Sequence, residues 1–279
     1  MLAFAALAAT GCGSGGGSGS GATSASSAKA ATRAKAPPAP RRVARLVPPA
    51  GAPARTVHVP VLTYHRVIPL RPNASPIETD LTVEPATFAA SMRALRAAGF
   101  HTVTQEQVFD ALWRGAALPS KPVLLTFDDG YVDDVKRILP VLRREHMVAT
   151  FFIITGRFRE PGFLTAGQVR ELDRAGMDIG DHTRSHLDLT AMAAPQLAVE
   201  TAGSRRALQR VVGHPVYAFA YPSGRNDATV RAAVGRAGFT MAYTTAYGTT
   251  LSTTAPLEMP RLHVGRAVSP AGVVALAGS

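Results

Sequence analysis

Two adjacent carboxylates, Asp128 and Asp129, follow the apolar run PVLLTF at 122–127 and precede Gly130. Adjacent side chains leaving a strand end diverge, so one can hold a metal while the other faces a substrate. The same Asp-Asp-Gly also reads as a turn that caps a helix starting near Tyr131. Further along, His182 and His186 stand at i and i+4. On a helical turn that spacing puts both rings within reach of one metal ion. Imidazole suits zinc and its neighbours, although such a pair on its own is also compatible with two surface histidines. Asp181 and Asp188 flank the pair as groups able to fix a ring tautomer. Taken together, Asp129, His182 and His186 offer three protein ligands and an open position, as a catalytic rather than a structural zinc requires. Asp128 is left over as a base. His65, in Tyr64-His65-Arg66, ends another apolar run and reads either as a general acid or as a buried histidine bonded to backbone.

Catalytic groups of parallel α/β proteins collect at the C-terminal ends of strands, and the chain supplies strands in the right places. Runs 58–65, 122–127, 148–154, 177–180, 216–221, 239–244 and 257–264 read as strands. Between them, helical patterns occupy 84–98, the stretch from Thr104 to Gly115, 131–146, 165–175, 195–212 and 226–237. Thr104 with Gln107 and Thr165 with Gln168 have the spacing of capping boxes. Strict alternation of this kind implies a parallel sheet with crossover helices. About seven strands suit a barrel-like α/β domain better than an open three-layer sheet.

The 279 residues are 46% hydrophobic and 18% charged, which excludes disorder over the whole length. The early apolar run is too short for a bilayer span, and a single cysteine, Cys12, excludes a disulfide framework and a cysteine-based zinc site. The formal net charge of +11 divides unevenly: residues 1–56 carry seven basic side chains and no acid, leaving +4 for the rest. No nucleic-acid-binding module accompanies that charge, so nucleic acid is not an expected partner. Residues 13–56 form a Gly/Ser/Ala-rich and then Pro/Arg-rich tether that buries no core, and residues 57–279 form the folded domain. Residues 1–12, an apolar stretch ending at Cys12, resemble a bacterial lipoprotein signal. The expectation is export, with lipidation at Cys12 and a membrane anchor, or plain secretion.

TFDDG at 126–130 and HTRSH at 182–186 resemble the first two signature motifs of the polysaccharide deacetylases, the NodB-homology or carbohydrate esterase family 4 domain. The resemblance runs from about residue 57 to 270. It implies a distorted (β/α)7 barrel and metal-dependent removal of acetyl groups from sugar polymers, with Zn2+ or else Co2+ or Ni2+ as cofactor. PVLTYHRV at 60–67 and FAYPSG at 219–224 are similar to the branch of biofilm poly-β-1,6-N-acetylglucosamine deacetylases. That likeness assigns the acid role to His65, with His263 as the alternative. It also places the backbone N–H near Ser223 at the oxyanion. Most of the wider family has an arginine in its third motif to orient the base; here Ala220 stands at that position. Tyr131 and Tyr221, like Tyr64, lie near motif ends and suit either sugar stacking or core packing. The function implied is N-deacetylation of an extracellular or cell-wall polysaccharide containing N-acetylglucosamine, by a monomer. The alternatives are a peptidoglycan or chitooligosaccharide N-deacetylase, an O-acetyl xylan esterase, and a non-catalytic carbohydrate-binding wall protein on the same scaffold.

Overall fold

The computed structural model describes residues 45–279. Cys12, the signal-like segment 1–12 and tether residues 13–44 lie outside the described residues. The expected barrel-type α/β fold is the observed one. Parallel strands run in the spatial order Met241–Tyr243, Ala218–Ala220, Asp178–Asp181, Thr150–Ile153, Pro122–Phe127, Val61–Tyr64, Leu262–His263, and His101–Thr102 joins the start of Pro122–Phe127. The sheet curls into a partial barrel. Residues 256–259 hydrogen-bond to Ala242 and Thr244, carrying the chain from one sheet edge back toward the other.

Every residue of the central strands except Pro122 and Asp178 is buried, so the apolar runs serve two faces. Val61, Leu124, Phe152, Ala218, Met241 and Tyr243 share one cluster inside the curl. Leu62, Leu125, Phe127, Phe151 and Phe219 pack on the other face with Phe88, Met92 and Leu95 of helix Pro85–Ala97 and with Leu172. Gly180 is required here, because a Cβ would overlap the Phe152 ring in the interior.

The capping boxes are present at Thr104–Gln107 and Thr165–Gln168 and start their helices one residue later. Three helical expectations change. The helix expected from Thr104 to Gly115 is α only over Gln105–Phe109 and continues as a π turn at Asp110–Arg114. Residues 131–146 are not one helix: a π turn at Asp134–Ile138 precedes the short helix Leu139–Arg144. The 195–212 segment is likewise interrupted by a π turn at Val199–Gly203. The folded unit also reaches back before residue 57. Leu46 is 2% exposed and belongs to the interior cluster. Thr56–His58 pairs antiparallel with Thr250–Ser252. The Arg55 guanidinium donates to the Trp113 carbonyl at 3.2 Å. A fully buried leucine contributes ~1.5–3 kcal/mol, enough to hold a proline-rich segment that lacks other structure.

Candidate active site

Strand periodicity delivers the first carboxylate. Leu124 and Thr126 face the barrel interior, and Asp128 continues that row one residue past the strand end. The Thr126 hydroxyl donates to the Leu62 carbonyl at 3.0 Å and lies 3.2 Å from the Thr63 hydroxyl, forming a polar floor. Above that floor Arg261 closes a bidentate pair with Asp128, at 2.9 Å to Oδ1 and 2.8 Å to Oδ2. Both side chains are 3% exposed. The Arg261 Nε–H donates to the Thr244 carbonyl at 2.9 Å, which fixes the plane of the fork. Burial alone raises a carboxyl pKa. Here the Arg261 guanidinium, together with His182 and His65, outweighs burial and holds Asp128 well below the usual carboxylate range.

Asp129 should face away from the interior by simple alternation. A left-handed backbone at φ 77° turns it back toward the mouth. Its Oδ1 sits 3.5 Å from Nε2 of His182 and 3.5 Å from Nε2 of His186. Tyr131 stands close enough that burial and the Asp129 carboxylate push its phenol pKa up. His182 follows strand Asp178–Asp181, and its Nδ1 lies 2.7 Å from the Ala220 carbonyl. A carbonyl only accepts, so Nδ1 carries the proton and Nε2 presents its lone pair. Burial pushes the His182 pKa down to about 4, which keeps the ring neutral and fit to ligate.

The two histidines do not lie on a helical turn, contrary to the i, i+4 expectation. Residues 182–187 are an irregular loop with left-handed backbone at Thr183 (φ 68°) and His186 (φ 55°). The loop is pinned from within and from outside. Asp181 Oδ1 accepts from the Thr183 N–H at 2.8 Å, and the Thr183 hydroxyl accepts from the His186 N–H at 2.9 Å. The buried Glu200, carried on the Val199–Gly203 π turn, accepts the N–H groups of Arg184 and Ser185 at 3.1 and 2.8 Å. Neither Asp181 nor Asp188 orients a ring. Asp181 holds the loop, and Asp188 caps the short turn Leu189–Ala191 and pairs with Arg225 at 2.6 Å. Left-handed conformations cost ~1–3 kcal/mol each outside glycine, so the clustering of Asp129, Thr183, His186 and Ser223 around one mouth marks a pre-organised site.

These side chains open on a cleft of ≈ 370 Å³ that also exposes His65, Ile77, Asp80, Ser223, Thr245 and His263. His65 Nδ1 is buried without a hydrogen-bond partner, and its ring centroid lies 6.0 Å from that of His263. Burial lowers the His65 pKa, against the opposing pull of Asp128 and Asp129. His263 stands at the rim, with Nε2 3.1 Å from Asp80 Oδ2. Ser223 is exposed on the cleft wall at φ 52°. Tyr131 lies away from the cleft, whereas Tyr221 lines it from within the core. The Tyr221 ring is fully buried against Phe219, with its hydroxyl donating to the Leu257 carbonyl at 3.0 Å. Tyr131 stacks on Phe163 behind Asp129 and under the Arg66 guanidinium. Tyr64 is core, stacked on Phe127. Sequence reasoning missed Arg261, Glu200 and Asp80. Arg261 adjoins the histidine singled out at 263, yet nothing local shows that a residue so far along the chain meets Asp128. For Asp80 a signal existed, since Ser75-Pro76-Ile77-Glu78 is a capping-box start.

The donor set fits a divalent cation. One ligand atom from each of Asp129, His182 and His186 lies within 4.8 Å of the others, and Asp129 Oδ1 is buried with no hydrogen-bond partner. A family model described as polysaccharide deacetylase matches residues 115–242. YxkH of Bacillus subtilis (strain 168), named for the same family, is 31% identical over 191 residues, covering 68% of this chain and 65% of that protein. The chain thus spans slightly less than two thirds of that relative's length. Among solved structures, Streptococcus pyogenes deacetylase PplD in complex with acetate superposes with a TM-score of 0.74 at 28% identity, covering 80% of this chain and 99% of that one. IcaB from Ammonifex degensii superposes with a TM-score of 0.68 at 28% identity, covering 80% of this chain and 97% of that one.

Proposed function

The chain carries a polysaccharide deacetylase domain, and on that premise we propose that it hydrolyses N-acetyl groups of an exported or cell-wall polysaccharide containing N-acetylglucosamine. The observation that carries this reading is one cleft holding a buried, arginine-clamped carboxylate beside an Asp-His-His ligand set. Asp129, His182 and His186 would hold the metal, with Zn2+ best suited to two imidazoles and a carboxylate. When bound, such a metal supplies Lewis acidity, polarising the acetyl carbonyl and lowering the pKa of a water to about 7.

Asp128 takes the proton from the attacking water, and Arg261 keeps its carboxylate ionised and aimed. The water oxygen bonds to the carbonyl carbon, and the backbone N–H of Ser223 supports the oxyanion. The C–N bond then breaks, and His65 gives its proton to the departing sugar amine. A lowered pKa makes the His65 imidazolium a stronger acid toward that amine, while fewer molecules carry the proton at neutral pH. The products are acetate and a glucosamine residue. Arg261 thereby fills the role left open at Ala220, whose carbonyl instead sets the His182 tautomer. Export, with lipidation at Cys12 as the resemblance of residues 1–12 implies, is part of the same proposal, because such a polymer lies outside the cell.

The test is acetate release from β-1,6- and β-1,4-linked N-acetylglucosamine oligomers and from peptidoglycan, with and without chelator. Chelator-sensitive release from one of them is expected, and it identifies the polymer. No release from any of them defeats the reading in favour of a carbohydrate-binding protein.

A further inference from the structure

Charge is sorted by depth in this fold. Eight of the 19 acidic side chains are buried, whereas Arg261 is the one buried lysine or arginine among the described residues. The surface is therefore more basic than the sequence balance of the domain indicates, and the excess collects on the outer flank of the barrel. Helix Pro85–Ala97, helix Leu139–Arg144 with the π turn before it, helix Ala166–Arg174 and helix Ser204–Val212 pack on the outer face of the sheet through Met92, Leu142, Leu172 and Leu208. Their opposite faces carry the charge. Arg93 and Arg96 are exposed on the first, and Lys136, Arg137, Arg143 and Arg144 on the second. The last two helices each expose two more arginines, Arg206 and Arg210 on the fourth. Glu171 is the single exposed acid of all four. The buried Glu145 is already shared between Arg144 at 3.0 Å and Arg96 at 3.4 Å. Arg93, Lys136, Arg137 and Arg143 have no carboxylate partner among the described residues.

Like charges crowded on neighbouring turns repel one another, and a bound polyanion relieves that repulsion. Arginine dominates the band, and its planar fork matches phosphate oxygens better than an ammonium does. The band bends with the curled sheet, so a flat bilayer meets only part of it, while a flexible chain follows all four helices. The exposed large apolar side chains, Val47, Ile77, Leu187, Val199 and Tyr247, all lie outside these helices, so nothing on the band inserts into lipid or stacks on a base. We infer that the outer flank binds a linear polyphosphodiester without bases, of which a polyol-phosphate chain is the simplest case. No residue of the four helices lines the cleft, so this polymer is a ligand of the flank and not the substrate of the metal site. Binding holds the protein within an anionic matrix and leaves the cleft clear. The inference stands independently of the deacetylase reading.

Fluorescence anisotropy of labelled poly(glycerol phosphate) measures binding to the whole chain, carrying Cys12→Ala so that no acyl group contributes. The polymer should bind at ~0.15 M salt and lose affinity steeply as salt rises. Charge reversal at either end of the band, by Arg137→Glu with Arg143→Glu or by Arg206→Glu with Arg210→Glu, should weaken binding roughly tenfold or more. Glutamine pairs at the same positions should weaken it less, and they carry the comparison wherever an unfolding midpoint shows a glutamate pair to be unfolded. Affinity unchanged in both reversals overturns the inference, because the basic segment before residue 57 then suffices for binding. Absence of binding at that salt overturns it as well. Tighter binding to phosphatidylglycerol vesicles overturns it in favour of a membrane, and tighter binding to oligothymidine in favour of nucleic acid.

Discussion

Arg261→Met is the sharpest perturbation of the proposed chemistry, because methionine keeps much of the volume and removes the fork. Asp128 would remain in a site 3% exposed, with its two bonds of 2.9 and 2.8 Å lost. Breaking a buried pair on one side typically costs ~3–5 kcal/mol. The carboxyl can reduce that cost by taking up a proton, since burial favours its neutral form and the guanidinium that opposed it is gone. A protonated Asp128 is no base, and a general base contributes roughly 10²–10⁴ in rate. The loss in kcat/KM should therefore approach that of Asp128→Asn, about 3–5 kcal/mol in barrier. The sign with pH is definite. In the wild type the depressed Asp128 pKa adds stability above the unfolded carboxyl value, and this is lost as pH falls through the folded value. In Arg261→Met the Asp128 pKa rises, so activity should recover with increasing pH on a limb the wild type lacks. Arg261→Lys, which retains charge without the bidentate fork, should fall between. The assay is acetate release across pH, with metal content measured on the same samples. The double variant with Asp128→Asn should lose little more than either single variant. Wild-type activity with an unchanged pH profile in Arg261→Met, or additive losses in the double variant, would refute the clamp.

His182→Ala should remove metal and activity together, seen as loss of bound metal by elemental analysis alongside loss of acetate release. His65→Ala should cost roughly 10²–10⁴ in kcat/KM, and His263→Ala distinctly less because its ring is held at the rim by Asp80; the reverse order would exchange their roles. Leu46→Ala should destabilise the domain by ~2–5 kcal/mol in chemical denaturation, and an unchanged midpoint would show that the segment before residue 57 adds nothing.

Apolar runs of strand length between helical patterns, with two capping boxes, sufficed to read the barrel, because continuous runs buried on both faces and helix-start chemistry are local properties. The chemical pairs were equally visible, since Asp128-Asp129 and His182-His186 are short-range patterns. What escaped detection depends on closure of the sheet. Arg261 meets Asp128 only because the last strand, Leu262–His263, pairs with the first central one, Val61–Tyr64. The helical reading of 182–186 failed because Thr183 and His186 take left-handed backbone stabilised by Glu200, a partner on another element. Leu46 was read as tether because proline and arginine dominate its surroundings, although one buried leucine is enough to dock them.

The docking of Leu46 also decides where mechanical load enters the domain. It lies beside Gln105 and beside Asp178 and Tyr217, which stand at the starts of strands, whereas Asp128 and His182 follow strand ends on the opposite rim. A pull on the N-terminus therefore loads Leu46, the Arg55–Trp113 contact and the Thr56–His58 ladder first. Asp129, His182 and His186 lie at the far end of the barrel from Leu46. The cleft thus stands apart from the elements through which Leu46 and the Thr56–His58 strand join the domain.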